Sequence, residues 1–486
     1  MPESTRNPLK FLHTDPQKWR KWFCMCVLLA AGIGLFIFRL GTDALIDYDE
    51  ATYAQVFAEA VRSSDFISFT RLSQPWFEKP PFYFWMMAAS SAVFGISEFA
   101  MRLPAALAGI GTVMLVWLIA RIHSRNEWIA CLAGAILLST GTFLSPSRQI
   151  RMDVPVAFFL LLAFYCRLKG KDHPLWYLGI GITCAMGVLM KSVIGFFVFP
   201  ILIIASIAYR DWRWLKSAYT WFGAGAMLAL LLPWHLYESA RFGSAFWNEY
   251  LFHHVLKRFS HPILGGNVST LSYIKLLFRF AEPWIPVFLI AAAATPALKR
   301  TAPERYRTLA AIGWIIAFIF LTFAVARTKL LFYLVPIYPF MALSIALTAE
   351  KLYERLRDAS QRELFAAACM VLIGIGLARS LYYEFSPAND IKASAEDERH
   401  IGQILAAAPA DAPIRALGYL YWETIQYYSN GKKITSADIG APGPEHFFLI
   451  IPSDMLEQYP FPQQLATRST VRFRGSSAAL IEVAPK

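Results

Sequence analysis

A cluster of carboxylates follows the first long apolar segment of the chain. Asp47, Asp49 and Glu50 fall within four residues, at the point where the chain leaves that segment. A carboxylate in such a place can take a proton from an incoming hydroxyl group as a general base, or it can orient a polar substrate. Acidic residues are also common in the first turn of a solvated helix, where they interact favourably with the helix dipole. The cluster alone leaves both interpretations open.

A rigid motif holds another acidic residue next to a lysine. Residues 76–81 read WFEKPP, and the two prolines fix their own backbone angles and offer no backbone donor. Glu78 and Lys79 would therefore be held in a fixed orientation, as a binding or reactive pair requires. The alternative is a rigid turn ahead of a short interfacial helix.

Several basic residues lie in short turns between apolar segments, on the side of the membrane where Lys and Arg are usually depleted. They are Arg148, Arg151, Lys191, Arg327 and Lys329. Because basic residues are depleted on that side of a membrane, these favour an anionic ligand, and the planar guanidinium of Arg suits a phosphate. Snorkelling of the side chains to lipid headgroups is the alternative.

Two adjacent histidines, His253 and His254, lie shortly before Arg258 and a third histidine, His261. Imidazoles near carboxylates can bind a divalent metal, and neutral histidine is a common ligand. Polar residues at a membrane interface would give the same pattern, so the pair alone does not decide between these interpretations.

The elements that must position these residues are membrane-spanning helices. Hydrophobic residues make up 56% of the 486-residue chain and charged residues only 16%, which is less charge than soluble domains carry. Eleven apolar segments approach the length of about 20 residues that crosses a bilayer. They are residues 22–39, 103–120, 128–145, 154–168, 176–190, 194–209, 218–237, 281–298, 309–326, 330–349 and 363–382. A shorter apolar stretch at 82–94 could raise the number, so we expect about 11 to 13 spans.

The distribution of basic residues predicts the orientation. The N-terminal tail and the loops on the same side hold 21 Lys and Arg residues, which makes that side cytoplasmic by the positive-inside rule. The same bias accounts for the net charge of +12 without nucleic acid as a partner. The N-terminus is then cytoplasmic, and the large loops 41–101 and 238–280 face outward. We expect a membrane domain over residues 1–382.

The region after the last apolar segment, 383–486, is predicted to be a small soluble α/β domain on the outer side. Candidate strands at 414–419, 446–451 and 471–483 alternate with polar turns. The predicted fold is therefore a polytopic α-helical membrane protein with a small C-terminal soluble α/β domain.

Taken together and in order, these motifs resemble those of a known superfamily. The matching stretches are Asp49-Glu50-Ala51-Thr52-Tyr53-Ala54, Phe77-Glu78-Lys79-Pro80-Pro81, Arg102-Leu103-Pro104, Asp153-Val154-Pro155, Lys191, His254 with Arg258-Phe259, and Arg327-Thr328-Lys329-Leu330 with Tyr333 and Pro336. They span about residues 45–340 and are similar to the lipid-phosphate-sugar-dependent superfamily of aminoarabinose transferases and protein O-mannosyltransferases. Thr52 departs from the basic residue usual in the aminoarabinose branch.

The resemblance implies a GT-C membrane fold, a polyprenyl-phosphate-linked sugar as donor, and a role for each matched residue. Asp49, Glu50 and Asp153 are the candidate catalytic residues. The candidate ligands of the lipid phosphate are Lys79, Lys191, Arg258, Arg327 and Lys329, and the candidate cavity residues are Trp76 and Tyr333. Glu78 and His254 match positions that can hold a divalent metal (Zn, Mg or Mn) in the aminoarabinose branch.

The predicted function is inverting transfer of a sugar from a polyprenyl-phosphate donor to lipid A or another envelope glycan, at the periplasmic face of a bacterial inner membrane. The predicted partners are the donor, lipid A or another envelope acceptor, and membrane lipids, with no nucleic acid. Protein O-mannosyl transfer is one alternative, and a transporter or lipid flippase is another. Transporters place ionisable groups near the bilayer midplane, whereas here they concentrate in the outward loops.

Overall fold

The apolar segments form helices in the computed structural model, which describes residues 16–46, 48–261, 269–281, 283–386, 389–418, 422–436, 446–458 and 467–485. The first half contains α1 (Pro16–Ile37), α2 (Asp49–Ser63), α3 (Phe82–Phe94), α4 (Glu98–His123), α5 (Glu127–Leu138), α6 (Gly141–Ser147), α7 (Asp153–Lys169), α8 (Leu178–Lys191), α9 (Val198–Tyr209), α10 (Arg213–Lys216) and α11 (Ala218–Phe242). Short 3₁₀ helices at Pro174–Tyr177 and Ser192–Phe197 flank α8.

The second half of the membrane part begins with α12 (Ser244–Trp247), a π-helix (Asn248–Lys257) and α13 (Arg258–Ser260). It continues with α14 (Thr270–Phe280), α15 (Trp284–Ala294), α16 (Leu298–Thr301), α17 (Pro303–Val325), α18 (Ile337–Arg355) and α19 (Ala359–Phe385). Two 3₁₀ helices lie between these elements, at Thr295–Ala297 and Leu331–Leu334. Every residue of α18 from Ile337 to Glu350 is buried, so this helix lies at the centre of the bundle.

Each of the eleven predicted segments overlaps a helix. By length and composition, five helices of the described chain could cross a membrane, or up to seven if each of two bent helix pairs is one span. Several segments fall short because they are interrupted: α5 and α6, for example, meet at an angle of 67°. The expectation of 11 to 13 spans stays a prediction.

A sharp turn after α8 brings Lys191 to the end of a helix. Ser192 has a φ of 54°, which an α-helix cannot continue through. A Cβ atom at Gly195 would lie 2.1 Å from the backbone nitrogen of Val188. The chain therefore folds back against α8 directly after Lys191, and only glycine permits the close approach at position 195.

The first large loop, 41–101, is mostly ordered secondary structure. It contains α2, a hairpin of two short strands, β1 (Thr70–Arg71) and β2 (Gln74–Pro75), and the short apolar helix α3. Helix α3 packs against α4. The loop therefore forms a folded layer over one end of the bundle, which is where the acidic cluster and the Glu78-Lys79 motif lie.

The C-terminal region forms a five-stranded mixed sheet in the order β4-β3-β5-β7-β6. Its elements are α20 (Asp390–Ala406), β3 (Ile414–Ala416), α21 (Glu423–Tyr428), β4 (Ile434–Ser436), β5 (Phe447–Pro452), α22 (Met455–Gln458), β6 (Ser469–Arg474) and β7 (Ala478–Val483). Two expectations need correction: 471–483 is a hairpin of two strands, and β4 was not predicted. The domain boundary at 383 stays a prediction, since α19 ends at Phe385.

Candidate functional site

The two carboxylates that begin α2 have different environments. Glu50 is 1% exposed, and its oxygens accept hydrogen bonds from Nε and Nη2 of Arg102 at 2.7 and 2.9 Å. The backbone amides of Ile46 and Ile150 donate to the same carboxylate at 3.0 and 2.9 Å. Burial alone would raise the pKa of Glu50, but Arg102 and these amides hold it below its ordinary value. Glu50 therefore ties two loops together.

Asp49 points in a different direction from Glu50 and is more accessible. Its side chain is 26% exposed, and Oδ2 accepts a hydrogen bond from Nη1 of Arg151 at 2.9 Å. Arg151 is itself fixed, because its Nε donates to Gln149 Oε1 at 2.7 Å and its guanidinium lies 3.6 Å from the centre of the Phe332 ring. Asp49 is thus an oriented carboxylate with access to ligand.

A short distance from Asp49 in the fold, the buried carboxylate of Glu78 is paired with two cations. Oε1 of Glu78 accepts hydrogen bonds from Lys79 Nζ at 2.7 Å and from Arg258 Nη2 at 2.9 Å. Glu78 and Arg258 are 180 residues apart in sequence, so the structure brings these two predicted residues together. Burial opposes ionisation of Glu78, but Lys79 and Arg258 hold its pKa far below the ordinary value. The trio carries one net positive charge, which suits an anion.

Another cation–carboxylate pair joins Lys191 to Asp153. Lys191 Nζ donates to Asp153 Oδ1 at 2.5 Å and lies 5.2 Å from the centre of the Tyr333 ring. Asp153 begins α7 and Lys191 ends α8, so two neighbouring helices present the pair at the same end of the bundle. Lys191 and Asp153 were both predicted to be site residues, and the structure places them side by side.

Tyr333 shows that these groups surround one region. Lys191 Nζ lies 5.2 Å from the centre of the Tyr333 ring, and the charges of Arg258, Asp153, Asp49 and Glu78 all act on the Tyr333 hydroxyl group. The interaction energy of two charges falls as the distance between them grows, so the groups that act on one hydroxyl lie near it. Asp49, Glu78, Asp153, Lys191 and Arg258 therefore lie around Tyr333.

Tyr53 is a site residue that the sequence analysis did not single out. It is 4% exposed, and Asp49, Glu78, Arg151 and Asp153 all act on its hydroxyl group, whose pKa burial raises. Lys79 Nζ lies 5.8 Å from its ring centre. Its spacing of four residues from Asp49, one helical turn, is the signal that could have identified it.

Trp76 and the segment 327–329 lie at the edge of the site. The Trp76 ring is half-buried and contacts the Tyr53 ring edge-on at 6.1 Å. The backbone amides of Arg327 and Thr328 bond to the carbonyls of Phe259 and Arg258. The Arg327 side chain is exposed, and Lys329 Nζ bonds to the Ala326 carbonyl at 2.8 Å. Their phosphate-binding role stays a prediction.

Arg148 has a structural role instead of an anion-binding one. It is 4% exposed, and its guanidinium donates to Glu384 Oε1 at 3.0 Å and to the Leu35 carbonyl at 2.7 Å. Our interpretation of the outward basic residues as one phosphate-binding group is therefore wrong for Arg148, because a carboxylate 236 residues away already neutralises it.

The predicted metal pair, Glu78 and His254, is electrostatically coupled. Burial lowers the pKa of His254 to about 4, although the neighbouring charge of Glu78 acts to raise it. Within the described residues the buried Nδ1 of His254 has no hydrogen-bond partner, while Nε2 lies 3.6 Å from Glu249 Oε2. A carboxylate and an imidazole are suitable donors, so the metal pair stays a prediction.

Comparisons with known proteins show which proteins the chain is similar to. Residues 78–237 match the family model described as dolichyl-phosphate-mannose-protein mannosyltransferase. The chain is 28% identical over 350 residues to an undecaprenyl phosphate-alpha-4-amino-4-deoxy-L-arabinose arabinosyl transferase of Pseudomonas aeruginosa, covering 70% of this chain and 61% of that one. A protein of the same name from Enterobacter is 27% identical, over 72% of this chain and 65% of its own. The chain thus spans less than two thirds of these relatives' length.

Superposition on solved structures identifies the fold of this chain. ArnT from Cupriavidus metallidurans bound to undecaprenyl phosphate superposes with a TM-score of 0.72 at 17% identity, over 97% of this chain and all of that one. The Archaeoglobus fulgidus oligosaccharyltransferase superposes with a TM-score of 0.54 at 12% identity, over 89% of this chain and 68% of its own.

The chain is therefore a multi-pass membrane protein with the GT-C fold and a small C-terminal sheet domain. Its sequence and fold confirm the predicted resemblance to the superfamily of aminoarabinose transferases and protein O-mannosyltransferases.

Proposed function

We propose that this protein is an inverting glycosyltransferase, which moves a sugar from a polyprenyl-phosphate donor to lipid A or another envelope glycan at the periplasmic face of a bacterial inner membrane. The observation that carries the proposal is the convergence of two oppositely charged arrangements around Tyr333. Glu78 with its two cations is positive overall, and Asp49 presents an accessible carboxylate.

The positive arrangement suits the leaving group. When the bond between the sugar's anomeric carbon and the phosphate oxygen breaks, negative charge develops on the lipid phosphate. Lys79 and Arg258 are already in place, so stabilising that charge costs little reorganisation. Arg258 also has a buried Nε without a hydrogen-bond partner among the described residues, which leaves a donor for a phosphate oxygen. Lys191 would provide a third positive charge.

Asp49 suits the acceptor side. An acceptor hydroxyl that attacks the anomeric carbon must lose its proton, and Asp49 could take it as a general base. Arg151 keeps the carboxylate oriented. If the acceptor is itself a phosphate group, no base is needed and Asp49 would position the substrate. In both cases one displacement forms the new glycosidic bond and inverts the anomeric centre.

A divalent ion held by Glu78 and His254 would add a Lewis acid beside the leaving phosphate. Since Glu78 already carries two cations, such an ion is electrostatically favourable there only when the phosphate brings negative charge. We assign the site to the periplasmic face because the basic loops predict a cytoplasmic N-terminus.

Protein O-mannosyl transfer is the second candidate, since the matched family model carries that description. A transporter or flippase is less consistent with the site, because the ion pairs of the site lie at helix ends and in the segments between helices. The acceptor would distinguish the two transferase activities.

The test is transfer by the purified full-length protein in nanodiscs, with undecaprenyl-phosphate-linked sugars as donors and lipid A, envelope glycans or a peptide as acceptors. In parallel, mass spectrometry would compare lipid A and envelope glycans with and without the gene. We expect donor consumption with loss of one sugar from one glycan class in the deletion. Unchanged glycans together with no donor consumption would overturn the proposal, and glycosylated peptide would favour the second candidate.

A further inference from the structure

A polar cavity lies at the end of the bundle opposite the candidate site. Helices α7 and α9 both begin near the site, at Asp153 and a few residues after Lys191, and both run away from it. The segments that follow their last residues border a cavity of about 480 Å³. Its charged lining residues are Lys171, Arg210, Arg213, Lys216 and Asp211. The cavity is therefore separate from the groups around Tyr333.

The cavity carries an excess of positive charge. The carboxylate of Asp211 is shared by two of the cations, with Lys171 Nζ at 3.5 Å and Arg213 Nε at 3.0 Å. Within the described residues, Arg210 and Lys216 form no ion pair, and both side chains are exposed. Four cations and one carboxylate leave three net positive charges at the cavity, so the site suits an anion.

Arg167 is a buried cation that contacts the wall of this cavity. It is 1% exposed, its Nη2 donates to the Asp211 carbonyl at 3.0 Å, and its guanidinium lies 5.3 Å from the centre of the ring of Tyr209, another lining residue. Its Nε and Nη1 have no hydrogen-bond partner in the part of the chain that the structure describes. Burial and the charge of Arg167 lower the pKa of Lys171. Because buried charges are normally paired, this one indicates a counter-ion that the protein does not supply.

The bias of Lys and Arg toward cytoplasmic loops explains exposed basic residues at this end, but it does not explain the backbone at Arg210. Arg210 has a φ of 52°, a left-handed conformation that glycine adopts readily and other residues rarely adopt. Arginine is therefore a conformationally unfavourable residue here, and a role for its charge accounts for it.

Exposed aromatic side chains around the cavity are typical of the level of the lipid headgroups. Trp212 lines the cavity, Leu215 belongs to α10, and Tyr219 and Trp221 belong to α11; all four are exposed. Trp and Tyr are enriched where a membrane meets water. Basic pockets between membrane helices bind the phosphate headgroups of anionic lipids, so a lipid phosphate explains both the cations and the aromatic residues.

We propose that this cavity binds the phosphate headgroup of one anionic phospholipid, from the leaflet opposite the candidate site. Arg210 and Lys216 bind the phosphate, and Arg167 adds buried positive charge beside them. The lipid joins the ends of α7 and α9 to the beginning of α11. The inference does not rest on the proposed transfer activity, because lipid binding tests it.

The experiment compares lipid binding by the full-length protein and two double variants. Arg210→Gly with Lys216→Gln removes two cations from the cavity, and glycine suits the φ at position 210. Lys299→Gln with Arg300→Gln is the matched control, since these two exposed cations lie at the same end of the bundle and outside the cavity. Native mass spectrometry in detergent measures the dissociation constant of the most tightly bound phosphatidylglycerol.

We expect the cavity variant to bind this lipid about 25-fold more weakly, because each basic residue near an anionic membrane contributes a factor of about five. The control variant should bind it as the unmodified protein does. In nanodiscs, replacing phosphatidylcholine by phosphatidylglycerol should raise the Tm of the unmodified protein and of the control more than that of the cavity variant.

Two further measurements keep the result interpretable. In phosphatidylcholine nanodiscs all three proteins should have similar Tm values; if the cavity variant does not, Lys216→Gln alone should still weaken lipid binding about fivefold. Inorganic phosphate at millimolar concentration should neither displace phosphatidylglycerol nor raise the Tm. The proposal is overturned if the cavity and control variants bind phosphatidylglycerol equally, or if inorganic phosphate reproduces the stabilisation.

Discussion

Asp49 and Arg151, 102 residues apart in sequence, form an ion pair in which Arg151 Nη1 donates to Asp49 Oδ2 at 2.9 Å. The other guanidinium contacts of Arg151, to Gln149 and to the face of Phe332, leave it little freedom. Arg151 therefore acts as a fixed support for a carboxylate that remains 26% exposed. This arrangement is what a base or a substrate-orienting group requires.

Asp49→Asn should reduce sugar transfer by about 10²–10⁴-fold to a hydroxyl acceptor, because it keeps the side-chain size but removes the basicity. The protein should still fold, since the partly exposed amide can keep one hydrogen bond to Arg151. The measurement is transfer from a polyprenyl-phosphate donor by purified variants in nanodiscs.

Asp47→Asn is the matched control, although Asp47 lies outside the described residues. It should have a much smaller effect on transfer. Near-normal activity of Asp49→Asn would remove Asp49 from the chemistry and direct attention to Asp153. An equal loss in both variants would mean that the acidic cluster acts as a unit.

The neighbouring residues Asp49 and Glu50 show which features of the site could be predicted from the sequence. The motif identified both as catalytic candidates, and nothing in the sequence alone separates them. The structure separates them because adjacent helical residues point about 100° apart, and Arg102, which is 52 residues away from Glu50, bonds to the carboxylate of Glu50 and not to that of Asp49. Likewise, the sequence alone does not distinguish Arg148 from Arg151. In the structure Arg148 pairs with Glu384 and Arg151 pairs with Asp49. Such pairings depend on tertiary contacts.

Glu50→Gln should destabilise the fold by about 3–5 kcal/mol, because it leaves the buried Arg102 charge without its partner. The pKa of Glu50 is lowered in the folded protein. The pair therefore contributes stability above the ordinary carboxyl pKa of about 4.3, and this contribution is lost as the pH falls through the lowered value.

Thermal unfolding in detergent from pH 7 downward would check this prediction. The Tm of Glu50→Gln should be lower at pH 7, and the gap to the unmodified protein should narrow on acidification. A gap that widens as the pH falls would contradict the assigned sign. Asp49→Asn, whose carboxylate is more exposed, should show a smaller change in Tm.

Arg258→Gln should raise the KM for the donor and lower kcat, since one cation would be lost from the leaving phosphate. Removal of a single charge-stabilising donor typically costs about 10²–10³-fold in kcat. Lys257→Gln removes the adjacent cation, which is exposed, and should leave both constants near normal. Equal effects of the two variants would show that general surface charge, and not the contact with Glu78, supports the reaction.

The orientation of the chain can be checked with reporter fusions. A fusion at Ala395, in α20, should be active only with a reporter that functions in the periplasm, because the basic loops predict an outward C-terminal domain. Activity of a cytoplasmic reporter at this position would place the candidate site on the cytoplasmic face and overturn the proposed acceptors.

The fold was more predictable than the site. Backbone groups in lipid must bond within their own helix, so apolar runs predict helices reliably, and each of the eleven segments is helical. Strand β4 was not predicted because only one of its three residues, Ile434, is apolar and buried. The breaks at Ser192 and between α5 and α6 depend on close packing, such as that of Gly195 against Val188, which the sequence does not encode locally.

The C-terminal domain forms hydrogen bonds with the loop before Asp49. The amide of Leu45 donates to the Tyr428 hydroxyl at 3.2 Å, and that hydroxyl donates to Glu98 Oε1 at 2.8 Å. Thr424 Oγ1 donates to the Leu45 carbonyl at 3.1 Å. Helix α21 thus fixes the backbone four residues before Asp49.

Tyr428→Phe should lower kcat while the donor KM stays near normal, because it loosens the loop before Asp49 and leaves Lys79 and Arg258 in place. Leu45 is buried, so its unpaired amide should also cost about 1–3 kcal/mol of stability. Steady-state kinetics in nanodiscs, with Tm measured alongside, would check both effects. Tyr427→Phe, at the neighbouring position, is the control and should change neither constant. A rise in donor KM equal to the fall in kcat would instead mean that α21 supports the whole site, and a normal kcat would remove the C-terminal domain from the positioning of Asp49.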